Sequence, residues 1–61
     1  MLRVRLDYTR KGMRHFSEIC RKYGLDPHIT LNGWWDYEMT ENQYKSLEMA
    51  EKNGYLRRIL I

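Results

Sequence analysis

The sequence is poor in several things that would narrow its function quickly. It has one cysteine, one proline and two histidines among 61 residues. A single thiol, Cys20, permits no internal disulfide, so the chain is not a bridge-stapled secreted scaffold and a reducing cytoplasm is its expected setting. No apolar run approaches the ~18 residues of a membrane span. The opening "MLRVRLDYTRKG" carries charges at Arg3, Arg5 and Asp7 and does not read as a signal peptide, so no membrane association is expected. At this length folding buries only about 60% of the chain's surface, which argues against a large ligand cavity.

Chemistry-bearing motifs are equally scarce. There is no C-x-x-C or H-x-x-x-H pair, and His15 and His28 fall on different elements, so neither a metal nor another cofactor is expected. Ser17 and Cys20 lie near His15, but the five-residue step from His15 to Cys20 places them on different sides of a helix, with Cys20 on the apolar side. Very small tautomerases use a proline directly after the initiator methionine as base, and position 2 is Leu2. Asp36 and Glu38 share a strand face, yet basic neighbours would keep both ionised instead of separating an acid from a base. The chain reads as a non-enzyme.

What is present is strong local patterning and an uneven charge. The net charge is +3, with seven Lys/Arg against three Asp/Glu in residues 1–28 and four against five in residues 29–61. "LRVRLDY" alternates Leu2, Val4, Leu6 and Tyr8 with Arg3, Arg5 and Asp7, the period of a half-buried strand. From Met13, the apolar Phe16, Ile19, Cys20 and Tyr23 recur at helical spacing up to Gly24, after which Leu25 can cover the helix end and Pro27 prevents continuation. Thr40 and Gln43 have the spacing of a capping box, with Met39 and Tyr44 as a hydrophobic staple. Tyr44, Leu47 and Ala50 give the second helix a narrow apolar face ending at Gly54, and "YLRRILI" reads as a closing strand.

Between Pro27 and Thr40, a hairpin with Leu31, Asn32 and Gly33 as a bulged loop pairs Ile29 with Trp35 and Thr30 with Trp34. Trp35, Tyr37 and Met39 then face the core, while Trp34, Asp36 and Glu38 share the other face with His28 and Thr30. The resulting order, β-α-β-β-α-β, is that of a small α+β ferredoxin-like sandwich with two helices on one face of a four-stranded antiparallel sheet. If the segment from His28 to Met39 is one bent strand, the order becomes β-α-β-α-β. The same six-element order occurs in RNA-recognition domains, but "NGWWDYEM" matches their third-strand pattern only at Gly33 and Trp34. Asp36 stands where a base-stacking ring belongs, Asn32 replaces the leading basic residue and Arg3 replaces the first-strand aromatic, so the chain is not assigned to that family.

Two surfaces remain as candidates. The open sheet face would carry Trp34, Arg3, Arg5, His28, Asp36 and Glu38. The last strand adds Leu56, Arg58 and Leu60 if Tyr55, Ile59 and Ile61 turn inward, or Ile59 and Ile61 around Arg57 in the opposite register. Tryptophan and arginine are enriched among interface hot spots, and exposed aliphatics on an edge strand invite pairing, so a protein partner or a homodimer through the last strand is expected. In this respect the chain is similar in style to small phage or mobile-element proteins that inhibit host machinery, anti-defence proteins among them. The alternative is a nucleic-acid-binding or transcription-regulatory protein using Lys11, Arg14, Arg21 and Lys22, which project opposite the apolar stripe of the first helix.

Overall fold

The computed structural model describes residues 1–61. Strand β1 (Leu2–Tyr8) leads to helix α1 (Met13–Lys22), strand β2 (Trp34–Met39), the short helices α2 (Glu41–Ser46) and α3 (Glu48–Lys52), and strand β3 (Leu56–Leu60). The three strands form one sheet in the order β2-β1-β3, with β1 antiparallel to both neighbours. This is a small α+β fold with three strands, not the four expected. No helix is long and apolar enough to cross a membrane.

The alternation of β1 sets the two faces. Val4 and Leu6 are fully buried and pack with Phe16 and Cys20 of α1, Tyr37 and Met39 of β2, Leu25, Leu47, Ala50 and Leu56 in a single apolar core. Arg3, Arg5 and Asp7 point to the opposite side, which no helix covers.

Helix boundaries follow local rules. At the end of α1 the Leu25 N–H bonds to the Cys20 carbonyl and the Gly24 N–H to that of Arg21, with Gly24 at φ +76°. This double closure requires a residue that tolerates the left-handed region, and it folds Leu25 under the helix. The capping box at α2 forms as expected: Thr40 Oγ1 accepts from the Gln43 N–H, and Gln43 Oε1 accepts from the Thr40 N–H. The second helix is nevertheless interrupted at Leu47. Just before the break, the Ser46 hydroxyl donates to the Asn42 carbonyl, a side-chain bond that competes with the helical ladder and bends it.

The expected strand before β2 does not form, and two tyrosine hydroxyls explain why. Tyr37 Oη donates to the Asp26 carbonyl at 2.8 Å and accepts from the His28 N–H at 3.0 Å, while Tyr8 Oη donates to the Thr30 carbonyl at 2.7 Å. Backbone groups that a ladder would have paired are thus satisfied by side chains, and Pro27 has no N–H to offer. Gly33 does adopt a positive φ of 82°, but it closes a turn onto Thr30 and leads into β2 without a hairpin partner.

One consequence corrects the expected core. Tyr37 is buried as anticipated, whereas Trp35 is 42% exposed, because the hairpin strand that would have covered it is missing; the His28 ring stacks on it at 4.4 Å.

The turn from β1 to α1 is welded to the turn from α3 to β3. Thr9 Oγ1 donates to the Gly54 carbonyl at 2.6 Å and accepts from the Gly12 N–H at 2.9 Å. Gly12 approaches so closely that an added Cβ would lie 1.7 Å from the Tyr55 carbonyl oxygen. Gly12→Ala is therefore expected to cost at or above ~3 kcal/mol in urea unfolding, the upper range of overpacking. Tyr37→Ala is expected to cost about 3–5 kcal/mol, as for deletion of a buried aromatic, and Trp35→Ala clearly less; thermal melts of the two variants establish the order.

Candidate functional site

The pairing register places nine side chains on the open face in three rows. Glu38 lies opposite Arg3, Asp36 opposite Arg5 with Ile59 on the other flank, and Trp34 opposite Asp7 with Arg57 beyond. Ile61 continues the β3 column, its N–H donating to the Arg3 carbonyl. Arg5 grips Asp36 with two bonds, Nε to Oδ1 at 2.8 Å and Nη2 to Oδ2 at 3.3 Å, and its guanidinium lies 3.9 Å from the centre of the Trp34 ring. Arg57 Nη2 reaches Asp7 Oδ2 at 2.8 Å. Trp34 is therefore outside the core, as expected, but half-covered by Arg5.

Four expected members are elsewhere. His28 lies over Trp35 on the helix side of the sheet, so it cannot pair with Asp36. Leu56 is core, because the last strand takes the second of its two possible registers and turns Leu56, Arg58 and Leu60 toward the helices.

Arg58 is a structural residue with a side chain only 12% exposed. It bonds Glu51 through Nε and Nη2, donates through Nη1 to the Tyr44 carbonyl at 2.7 Å, and stacks on the Tyr44 ring. Leu60 is exposed at the rim of the helix side, off the open face. In their place the structure puts Arg57, Ile59 and Ile61 on the open face, with both isoleucines exposed. The opposite-register reading of "YLRRILI" had named these three residues.

The basic residues of the first helix are distributed differently. Lys11 Nζ donates to the Asn53 carbonyl at 2.9 Å and lies near the Tyr55 ring, so it serves as a cap for the end of α3. Arg14, Arg21 and Lys22 are exposed and form no salt bridge; the Arg14–Glu18–Lys22 ladder that their spacing allows is absent.

The strongest perturbations of acidity are structural. Burial pushes the Cys20 thiol up to about 11 and raises the Tyr37 phenol. The Arg5 hydrogen bond holds Asp36 below the usual carboxylate range, and the Arg58 N–H does the same for Glu51. No three His, Cys, Asp or Glu side chains gather into a group that could hold a metal ion. The concavities are shallow, a groove of 420 Å³ beside Met1 and Thr40 and another of 180 Å³ between α1 and α3.

No protein-family model, no curated protein and no solved structure matches the chain.

Because Asp36 and Glu51 have folded-state pKa values below those of the unfolded chain, the stability they contribute is present above the ordinary carboxylate range, hence at neutral pH, and is lost as pH falls through the folded values. Melting temperatures measured between pH 7 and pH 3 should fall, with a shallower acid limb in Glu51→Gln and Asp36→Asn.

Proposed function

We propose that the chain is a non-enzymatic protein-binding module that acts by occluding or organising a partner through its open sheet face, in the manner of an inhibitor. The observation that carries this reading is the composition of that uncovered face. Three cations (Arg3, Arg5, Arg57) and three anions (Asp7, Asp36, Glu38) cancel, two of the pairs are already closed, and Ile59, Ile61 and the half-covered Trp34 supply apolar and aromatic surface. Charges satisfied in the free protein need no new partner when they leave water, and arginine, aromatic and aliphatic groups together form the usual centre of a protein interface. A face of zero net charge has no general attraction for phosphate.

A second reading, nucleic-acid binding, is supported by one specific observation: Arg14, Arg21 and Lys22 stand exposed on α1 without carboxylate partners. That surface would contact backbone phosphate, with affinity falling steeply as salt rises.

The two readings separate in one experiment. Immobilised chain is expected to retain its partner from a nuclease-treated lysate; Ile59→Lys or Trp34→Ala should lose it, and Arg14→Glu with Arg21→Glu should not. Capture that disappears with nuclease and with the helix reversals, but survives the sheet variants, would establish the nucleic-acid reading instead. Circular dichroism of each variant checks folding, since a domain of this size has little stability to lose.

A further inference from the structure

The two edges of the sheet are treated differently. In β1 the odd-numbered backbone groups bond to β3 and the even-numbered ones to β2, as Ile61 N–H to Arg3, Thr9 N–H to Tyr55 and Tyr8 N–H to Gly33 show. It follows that the N–H and C=O groups of Trp34, Asp36 and Glu38 point away from the sheet on β2, and those of Arg58 and Leu60 do so on β3. On β3 the Arg58 N–H is taken by Glu51 Oε2 at 3.0 Å, and the Arg58 side chain and α3 flank that edge, leaving the Arg58 C=O and the Leu60 groups at the strand's end without a partner. Such a carboxylate block is a device against strand addition. On β2 only the Trp34 carbonyl has a partner, Thr30 Oγ1 at 2.9 Å; the N–H and C=O groups of Asp36 and Glu38 have none. This is the lane that a hairpin strand from residues 28–30 would have filled, and the Tyr37 and Tyr8 hydroxyls hold that segment out of it.

Resting on the protein-binding reading, we infer that the partner engages by laying an extended segment along the outer edge of β2, with basic side chains on the open-face side and apolar ones on the helix side. The chemistry of the edge selects this occupant. On the open-face side the new strand would lie beside Asp36 and Glu38, and Glu38 has no ion-pair partner although Arg3 is opposite it. On the helix side it would lie beside Trp35, which is exposed and whose ring is supported by stacked His28. A strand alternating lysine or arginine with valine or isoleucine meets both faces and completes the backbone bonds, the usual division of affinity and specificity in strand addition. A second copy is disfavoured as occupant, because antiparallel pairing of two β2 strands about Asp36 or Tyr37 sets carboxylate opposite carboxylate.

The test uses the full chain and a blocked peptide of alternating lysine and valine as probe, followed by amide NMR. At millimolar peptide, the Asp36 and Glu38 amides are expected to become at least tenfold slower to exchange, with a change in Trp35 emission and no effect at Leu60. An alternating glutamate-valine peptide should not bind. The lysine-valine peptide N-methylated at alternate residues should lose binding, which examines the backbone bonds without altering the protein. Glu38→Pro should abolish binding and Glu38→Gln only weaken it, because the Glu38 N–H points out of the sheet and a proline there leaves the fold's own ladder intact.

Equal binding by the N-methylated peptide, protection at Leu60 in place of Asp36 and Glu38, or protection of these amides by self-association or by the chain's own residues 28–30 would overturn the inference. Capture of the natural partner lost with Ile59→Lys but kept with Glu38→Pro would leave the protein-binding reading standing and remove the edge.

Discussion

The backbone of β1 is the constraint on which the rest depends. It is the only strand with a neighbour on both sides, so its alternation acts twice. Even-numbered residues send their side chains into the core and their backbone groups to β2; odd-numbered residues send side chains to the open face and backbone groups to β3. A one-residue slip would exchange Val4 and Leu6 for Arg3 and Arg5 in the core, a cost no domain of this size could absorb. The neutral open face is a consequence of the same register, which places Asp36 beside Arg5 and Asp7 beside Arg57.

With only ten buried apolar residues in the core, polar groups take over part of the structural work. The Thr9 hydroxyl joins two turns, the Tyr8 and Tyr37 hydroxyls anchor the loop ahead of β2, and the Arg58 guanidinium ties β3 to α2 and α3 through Tyr44 and Glu51. The last of these also closes one sheet edge. The tyrosines have the opposite effect on the other edge: by satisfying the loop's backbone elsewhere, they leave β2 without an outer neighbour. An asymmetric sheet with one guarded and one available edge follows from two sets of side-chain hydrogen bonds.

Features governed by neighbours in sequence were legible from the sequence. The alternation of "LRVRLDY", the Thr40–Gln43 cap and the Gly24 closure each involve residues within a few positions of one another, and the structure contains all three. The facing of Trp34, Asp36 and Glu38 away from the core was legible too, since strand alternation alone decides it. What escaped depends on partners distant in the chain. The hairpin preceding β2 was favoured by Gly33 and by the Ile29 and Trp35 pairing, but nothing local reveals that Tyr37 and Tyr8 will capture the backbone of Asp26, His28 and Thr30. With that strand went the burial of Trp35 and the place of His28. Both frames of "YLRRILI" are equally periodic; Leu56 filling the core and Glu51 receiving Arg58 decide between them, and neither contact leaves a mark in the strand's own sequence.

The account turns on β2 having an unoccupied outer edge and β3 one that is guarded at Arg58. Residue-resolved amide hydrogen exchange of the free protein tests this most directly. Trp35, Tyr37 and Arg58 should exchange slowly, the first two through β1 and the third through Glu51, while Asp36 and Glu38 exchange at nearly the rate of an unstructured chain. Slow exchange at Asp36 and Glu38 in the free monomer would mean that residues 28–30 occupy the edge as a fourth strand, and would contradict the account.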